Sequence, residues 1–146
     1  MPDADPNAAR PCTLGMSSAC TSAVGKKDFT WVWENVLTSN CGGSSCHMTS
    51  STSSAKKNPY ETKPLAYSSL VDRDSLVTPG VKLVVAGQLK KSYLRVMLQD
   101  MKAADFEPPT TNPAKDTGFM PQASFPLCCQ KLDAIDAWIT AGAAND

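Results

Sequence analysis

Cys41-Gly-Gly-Ser-Ser-Cys46-His47 is the most constraining stretch of this sequence, holding two of the six cysteines and the only histidine in 146 residues. Ahead of it, Phe29, Val32, Trp33, Val36 and Leu37 recur at helical spacing behind Asp28, a natural N-cap. The pattern predicts an amphipathic helix that stops near Ser39-Asn40, before Gly42-Gly43. Two thiols and an imidazole therefore stand on a short, pliant turn at a helix end. The fold has to be organised around whatever that turn holds.

The rest of the chain reads as short helices separated by long irregular stretches. Residues 1–27 are rich in Pro, Ala, Ser, Gly and Thr without an apolar period, which predicts an irregular N-terminal arm ahead of a domain spanning 28–146. A Ser/Thr-rich loop from Met48 to Pro64 leads into a short helix over Leu65–Val71. A turn-rich stretch follows, with a brief strand at Leu83–Val85, and then a second solid helix over Ser92–Met101. The proline-studded loop from Glu107 to Pro126 precedes a last amphipathic helix, Cys128–Ala141, with Leu132, Ile135, Trp138 and Ile139 on one face and Gly142 suited to its end. This is a small all-α domain of about four helices. Loops this long in a compact domain usually wrap something, and a bulky cofactor is the natural candidate.

Composition removes several function classes. Fourteen Lys+Arg balance fourteen Asp+Glu, so the chain lacks the net basic face of a nucleic-acid or polybasic membrane-surface module. No run approaches the apolar length that spans a bilayer. With one histidine, a Ser-His-Asp or Cys-His mechanism has no base to spare once His47 is committed elsewhere, and no catalytic constellation is visible. The expectation is a protein that is not an enzyme.

A histidine directly after the second of two closely spaced cysteines is the chemistry of covalent haem attachment. Two thiols add across the porphyrin vinyls and the adjacent imidazole binds iron, most often at C-x-x-C-H spacing. The spacing here is C-x4-C-H, and Gly42, Gly43, Ser44 and Ser45 are small enough to let both sulfurs reach one porphyrin edge. A lone histidine rules out bis-His ligation within one chain, leaving a soft thioether as the best second ligand. Among six methionines, Met120 sits in a loop and is followed by Pro121, whereas Met97 and Met101 have the spacing of core residues. Trp33 and Trp138 read as helix-packing core. Tyr67 and Tyr93 are open between core packing and a hydrogen bond to a haem propionate. Lys56-Lys57 and Lys90-Lys91 read as solvated charge, with a docking patch as the other reading.

From about residue 28 to 144 the chain resembles the class I-like monohaem c-type cytochrome domains. The resemblance rests on the order FTWVWENVLTSN, CGGSSCH, AYSSLV, SYLRVML, Met120-Pro121 and DAWITAGA. It implies a small cytochrome c-like fold with crossing first and last helices wrapping one covalent haem c. Cys41 and Cys46 would be the thioether anchors, His47 the proximal ligand and Met120 the distal ligand. The implied function is one-electron transfer to redox partner proteins, with self-association or docking to a larger haem protein as variants. The alternatives are a disulfide-stapled interaction module without haem, in which Cys41 pairs with Cys46, and a haem protein with an open distal site. A zinc site through Cys41, Cys46 and His47 would need a fourth ligand.

Cys12, Cys20, Cys128 and Cys129 lack metal-like spacing and look like disulfide material, which suits a periplasmic or extracellular protein whose export segment has been removed and replaced by Met1. Four cysteines allow three pairings. A vicinal Cys128–Cys129 bond strains its peptide, which favours Cys12 and Cys20 each pairing with one of the two. Cys12 with Cys20 is the alternative.

Overall fold

The computed structural model describes residues 12–42, 46–50, 54–114, 118–121 and 126–146. Gly43, Ser44 and Ser45, the linker between the two motif thiols, lie outside the described residues, as does the start of the arm. Among the described residues five α-helical segments are seen: α1 (Ser18–Thr21), α2 (Phe29–Val32), α3 (Lys63–Leu70), α4 (Leu94–Met97) and α5 (Cys129–Thr140). Residues Trp33–Cys41 continue α2 as a π-helix. Among the described residues no helix is long and apolar enough to cross a membrane.

Asp28 caps α2 as its position suggests, its Oδ1 accepting from the Trp31 N–H at 2.7 Å. The helix does not stop at Ser39-Asn40; it widens and runs on to Cys41. Side-chain donors explain the change of winding, because they occupy carbonyls that a tighter ladder would use. Thr38 Oγ1 and Ser39 Oγ donate to the Glu34 carbonyl at 2.6 and 3.3 Å. The ammonium of Lys131, on α5, donates to the Asn35 carbonyl and to Asn40 Oδ1, both at 2.8 Å. Only 6% exposed, Lys131 thus satisfies acceptors of the helix end from within the fold. Burial pulls its ammonium pKa down, and the Cys41 thiol nearby opposes that.

Aromatic packing joins α2 to α5 and α3. Phe29 stacks on Trp138 with centroids 4.8 Å apart and meets Tyr67 edge-on at 5.3 Å. Such pairs add about 1 kcal/mol each beyond the area they bury. The Phe29 and Thr30 N–H groups also donate to Asp146, through its Oδ1 and its backbone oxygen. Trp33 and Trp138 each turn the indole N–H to a carbonyl, of Tyr60 and Ala144 respectively, so both serve packing.

Two expected elements are shorter than their apolar patterns suggest. The helix expected over Ser92–Met101 is α-helical only over Leu94–Met97, because Gln99 takes a positive φ of 59° and ends it. The N–H groups of Asp100 and Met101 then share the Arg95 carbonyl. The strand expected at Leu83–Val85 is reduced to isolated bridges, Val71 to Val84 and Lys82 to Ser92 among them. Among the described residues no strand forms. Within the arm, Ser17 caps the single turn α1, so that segment is not wholly irregular.

The shortened α4 leads into a buried ion cluster. Arg95 Nε lies 2.9 Å from Asp136 Oδ1 and 3.2 Å from Asp100 Oδ2. Burial first, and then the neighbouring Asp100 carboxylate, pushes the Asp136 carboxyl up from 3.8 to about 8. A carboxyl raised on folding stabilises the fold at low pH, and that contribution is lost as pH rises through the raised value. Asp136→Asn should therefore flatten the dependence of Tm on pH between about 4 and 8. Parallel wild-type and variant profiles would show that the proton resides elsewhere.

The arm is held at the opposite end of α5. Cys12 bonds to Cys129 and Cys20 to Cys128, so the arm pairs with both members of the vicinal couple. Gly15 exchanges two hydrogen bonds of 2.9 Å with the Gln130 side chain, and Thr13 O accepts from Cys129 N–H. A Cβ at Gly15 would come within 2.6 Å of Cys20 Cβ, so the glycine is required by close approach.

Candidate functional site

The helices leave a cleft between them, with an empty volume of about 1090 Å³ including its mouth. One wall is α2 and its π-helical extension, through Val32, Val36 and Leu37. The facing walls are α4 with Leu94, Met97 and Leu98, and α5 with Ile135 and Trp138. Leu76 and Val77, 53% and 39% exposed, form an apolar lip. A predominantly apolar cleft with a few converging polar groups is the usual form of a cofactor site. Here those groups are Cys41, His47, Lys57, Asn58, Tyr60 and Ser75.

Cys41 and His47 are brought to this cleft by local backbone geometry. The π-helix delivers Cys41 in its last turn, and the His47 N–H returns to the Cys41 carbonyl at 3.2 Å. His47 Nδ1 lies 2.8 Å from the Asn58 carbonyl oxygen. A carbonyl only accepts, so Nδ1 carries the proton and Nε2 is the ring's acceptor nitrogen. The ring stacks on Tyr60, with centroids 4.3 Å apart and planes 13° from parallel. Tyr60 is in turn fixed by its N–H to the His47 carbonyl and by its own carbonyl to the Trp33 indole. Fixing one ring nitrogen on a carbonyl and orienting the ring by packing is how proteins prepare a histidine for a metal.

Met120 lines the same cleft, half-buried, with its N–H donating to the Met97 carbonyl at 2.8 Å. Of the four candidate residues, Cys41, His47 and Met120 line one cavity. Cys46 is exposed and adjoins it through His47. Met97, which its helical spacing marks as core, also lines the cavity. Spacing alone misses this because a wall residue of a cleft is periodic like any core residue. Tyr67 and Tyr93 do not line it. Their hydroxyls donate to the Ala143 and Thr111 carbonyls, both at 2.8 Å. Lys90 pairs with Glu107 at the surface, whereas Lys57 stands at the cleft mouth.

Cys41 and Cys46 are both thiols, although the other four cysteines pair. Burial pushes the Cys41 thiol up to about 12, with Cys46 adding to the rise and Lys131 opposing it. Thiolates are the reactive form, so the polypeptide alone should alkylate unevenly at pH 8. Iodoacetamide is expected to label Cys46 first and Cys41 at least roughly tenfold more slowly. Equal rates by peptide mass mapping would show that Cys41 is not held in the wall. Among the described residues no group of three or more His, Cys, Asp or Glu side chains is arranged to hold a metal ion by itself.

No protein-family model, curated protein or solved structure matches the chain.

Proposed function

We propose that the chain is a one-electron carrier holding one covalent haem c, on a cytochrome c-like fold in which α2 and α5 form the helix pair behind the cofactor. The observation that carries this is the convergence of Cys41, a histidine with its proton fixed on Nδ1 and the thioether of Met120 on one apolar cleft. The donor set fits the group. Cys41 and Cys46 would supply thioether links, and Nε2 of His47 and the soft sulfur of Met120 would hold the iron.

Bound there, haem supplies an Fe(III)/Fe(II) couple. The chain's own part would be to hold the iron through His47 and Met120, exclude water and set the potential. Asn58 fixes the His47 ring through its carbonyl, which also makes Nε2 a stronger donor. Val32, Val36, Leu94 and Ile135 keep the surroundings apolar. With His47 and Met120 both holding the iron, no position would be left for substrate, which favours a carrier over an enzyme. Electrons would leave by the mouth, near the exposed Cys46 and the apolar lip at Leu76 and Val77. Redox proteins are the partners this implies. Zero net charge also permits association of copies. Two disulfides suit an oxidising compartment, hence the periplasm or the cell exterior.

The test is intact mass after expression with c-type maturation machinery. The expected product is chain plus one haem, surviving acid–acetone extraction. Cys46→Ser should cut one link and most of the yield, and His47→Ala should remove the proximal ligand. A product with no added mass would leave Cys41 and Cys46 as ordinary thiols and end the reading.

A further inference from the structure

Asn58 carries an anomaly that the ligand set does not explain. Its backbone oxygen is taken by His47, but its side-chain Oδ1 is buried and has no hydrogen-bond partner. A buried polar atom left unpaired is costly, and native folds rarely keep one without a reason. The atom belongs to a residue that lines the cleft. The segment is rigid: Pro59 follows, its carbonyl accepts from Ser69 Oγ at 3.2 Å, and Tyr60 N–H is bound to His47. Lys57 stands next to Asn58 and is the one cation among the described lining residues. Several other polar groups in or near the cleft already have partners. Ser75 Oγ accepts from the Val77 and Thr78 N–H groups, and the hydroxyls of Tyr67 and Tyr93 are bound to backbone carbonyls.

We propose that the Lys57–Asn58 corner of the cleft binds the acidic edge of the prosthetic group, the carboxamide of Asn58 donating to a carboxylate and Lys57 supplying the counter-charge. This rests on the haem reading. A carboxamide rotates to offer Nδ2–H₂ in place of Oδ1, so the same side chain serves a carboxylate or a protonated acid. The corner is also the only part of the described cleft wall where anionic oxygens meet a cation and not apolar carbon. It places the acidic edge beside the backbone that orients His47, so the charge state of that edge and the axial ligand are linked through one residue.

The experiment uses the full chain with Cys41→Ala and Cys46→Ala, so that binding is reversible. It is titrated in visible absorption with Fe(III) protoporphyrin IX and, separately, with its dimethyl ester. The expected result is that Asn58→Leu with Lys57→Gln weakens the free acid roughly tenfold or more, as for a lost charge-assisted hydrogen bond, and changes the ester by less than about twofold. Equal weakening of acid and ester, or of neither, overturns the corner while the haem reading stands. If neither porphyrin binds the parent chain, the haem reading and this inference fail together. Should the Cys41→Ala/Cys46→Ala chain not fold, the matured protein gives the second measurement. Asn58→Asp sets a carboxylate against the acidic edge and should raise the pH at which the reduction potential steps. A pH profile identical to wild type overturns the proposal.

Discussion

Removing both disulfides is expected to cost the fold roughly 7.5 kcal/mol, against a little under 3 kcal/mol for either one alone. The asymmetry follows from the topology. Cys12–Cys129 and Cys20–Cys128 span 117 and 108 residues, so either bond by itself closes most of the chain into a loop. In the chain-entropy account the first closure contributes about 5 kcal/mol. The second then closes a ring of only about ten residues between two already tethered segments, and adds less. Losses should therefore exceed the sum of the single losses, the signature of coupled sites. Urea unfolding of Cys12→Ala/Cys129→Ala, Cys20→Ala/Cys128→Ala and the quadruple variant measures this directly. Since domains are stable by only about 5–15 kcal/mol, the quadruple variant stands near the edge of folding. Simple addition of the two losses would mean that the bonds do not clamp a common pair of segments.

Met120→Ala is expected to leave the haem covalently attached while abolishing its low-spin, six-coordinate spectrum and opening the iron to added ligands. Loss of Met/His ligation should also lower the reduction potential, on the order of 100 mV within the roughly 0.8 V that axial ligands command. Met97 makes the sharp control, because it lines the same cleft and its carbonyl holds the Met120 backbone. Met97→Leu keeps that carbonyl and most of the side-chain volume, so its spectrum should stay low-spin. The reverse outcome, with Met97→Leu high-spin and Met120→Ala unchanged, would move the distal ligand to α4.

Much of the fold is legible in the residues, for reasons that differ by element. α5 follows its apolar stripe closely because that stripe is long and Gly142, at a φ of 111°, ends it where a side chain would be strained. The start of α2 follows from Asp28. Its end does not, because the donors that widen it include Lys131, some ninety residues away in sequence. α4 falls short of its pattern because Arg95 binds Asp100 and Asp136, and the chain turns at Gln99 to allow it. At the site, the motif order alone points to Cys41, Cys46 and His47. The His47 contact to the Asn58 carbonyl has no sequence signature, since any residue has a carbonyl. The unpaired Asn58 side chain is equally silent until the cleft around it is seen.

In the proposed function this cleft binds haem through thioethers to Cys41 and Cys46 and through His47 and Met120. Its most direct test is a visible spectrum of the purified protein, oxidised and then dithionite-reduced, after export with c-type maturation machinery. The expected result is a strong Soret band and sharp reduced bands that stay with the polypeptide through acid–acetone extraction. A colourless, folded, disulfide-bonded protein under those conditions would contradict it.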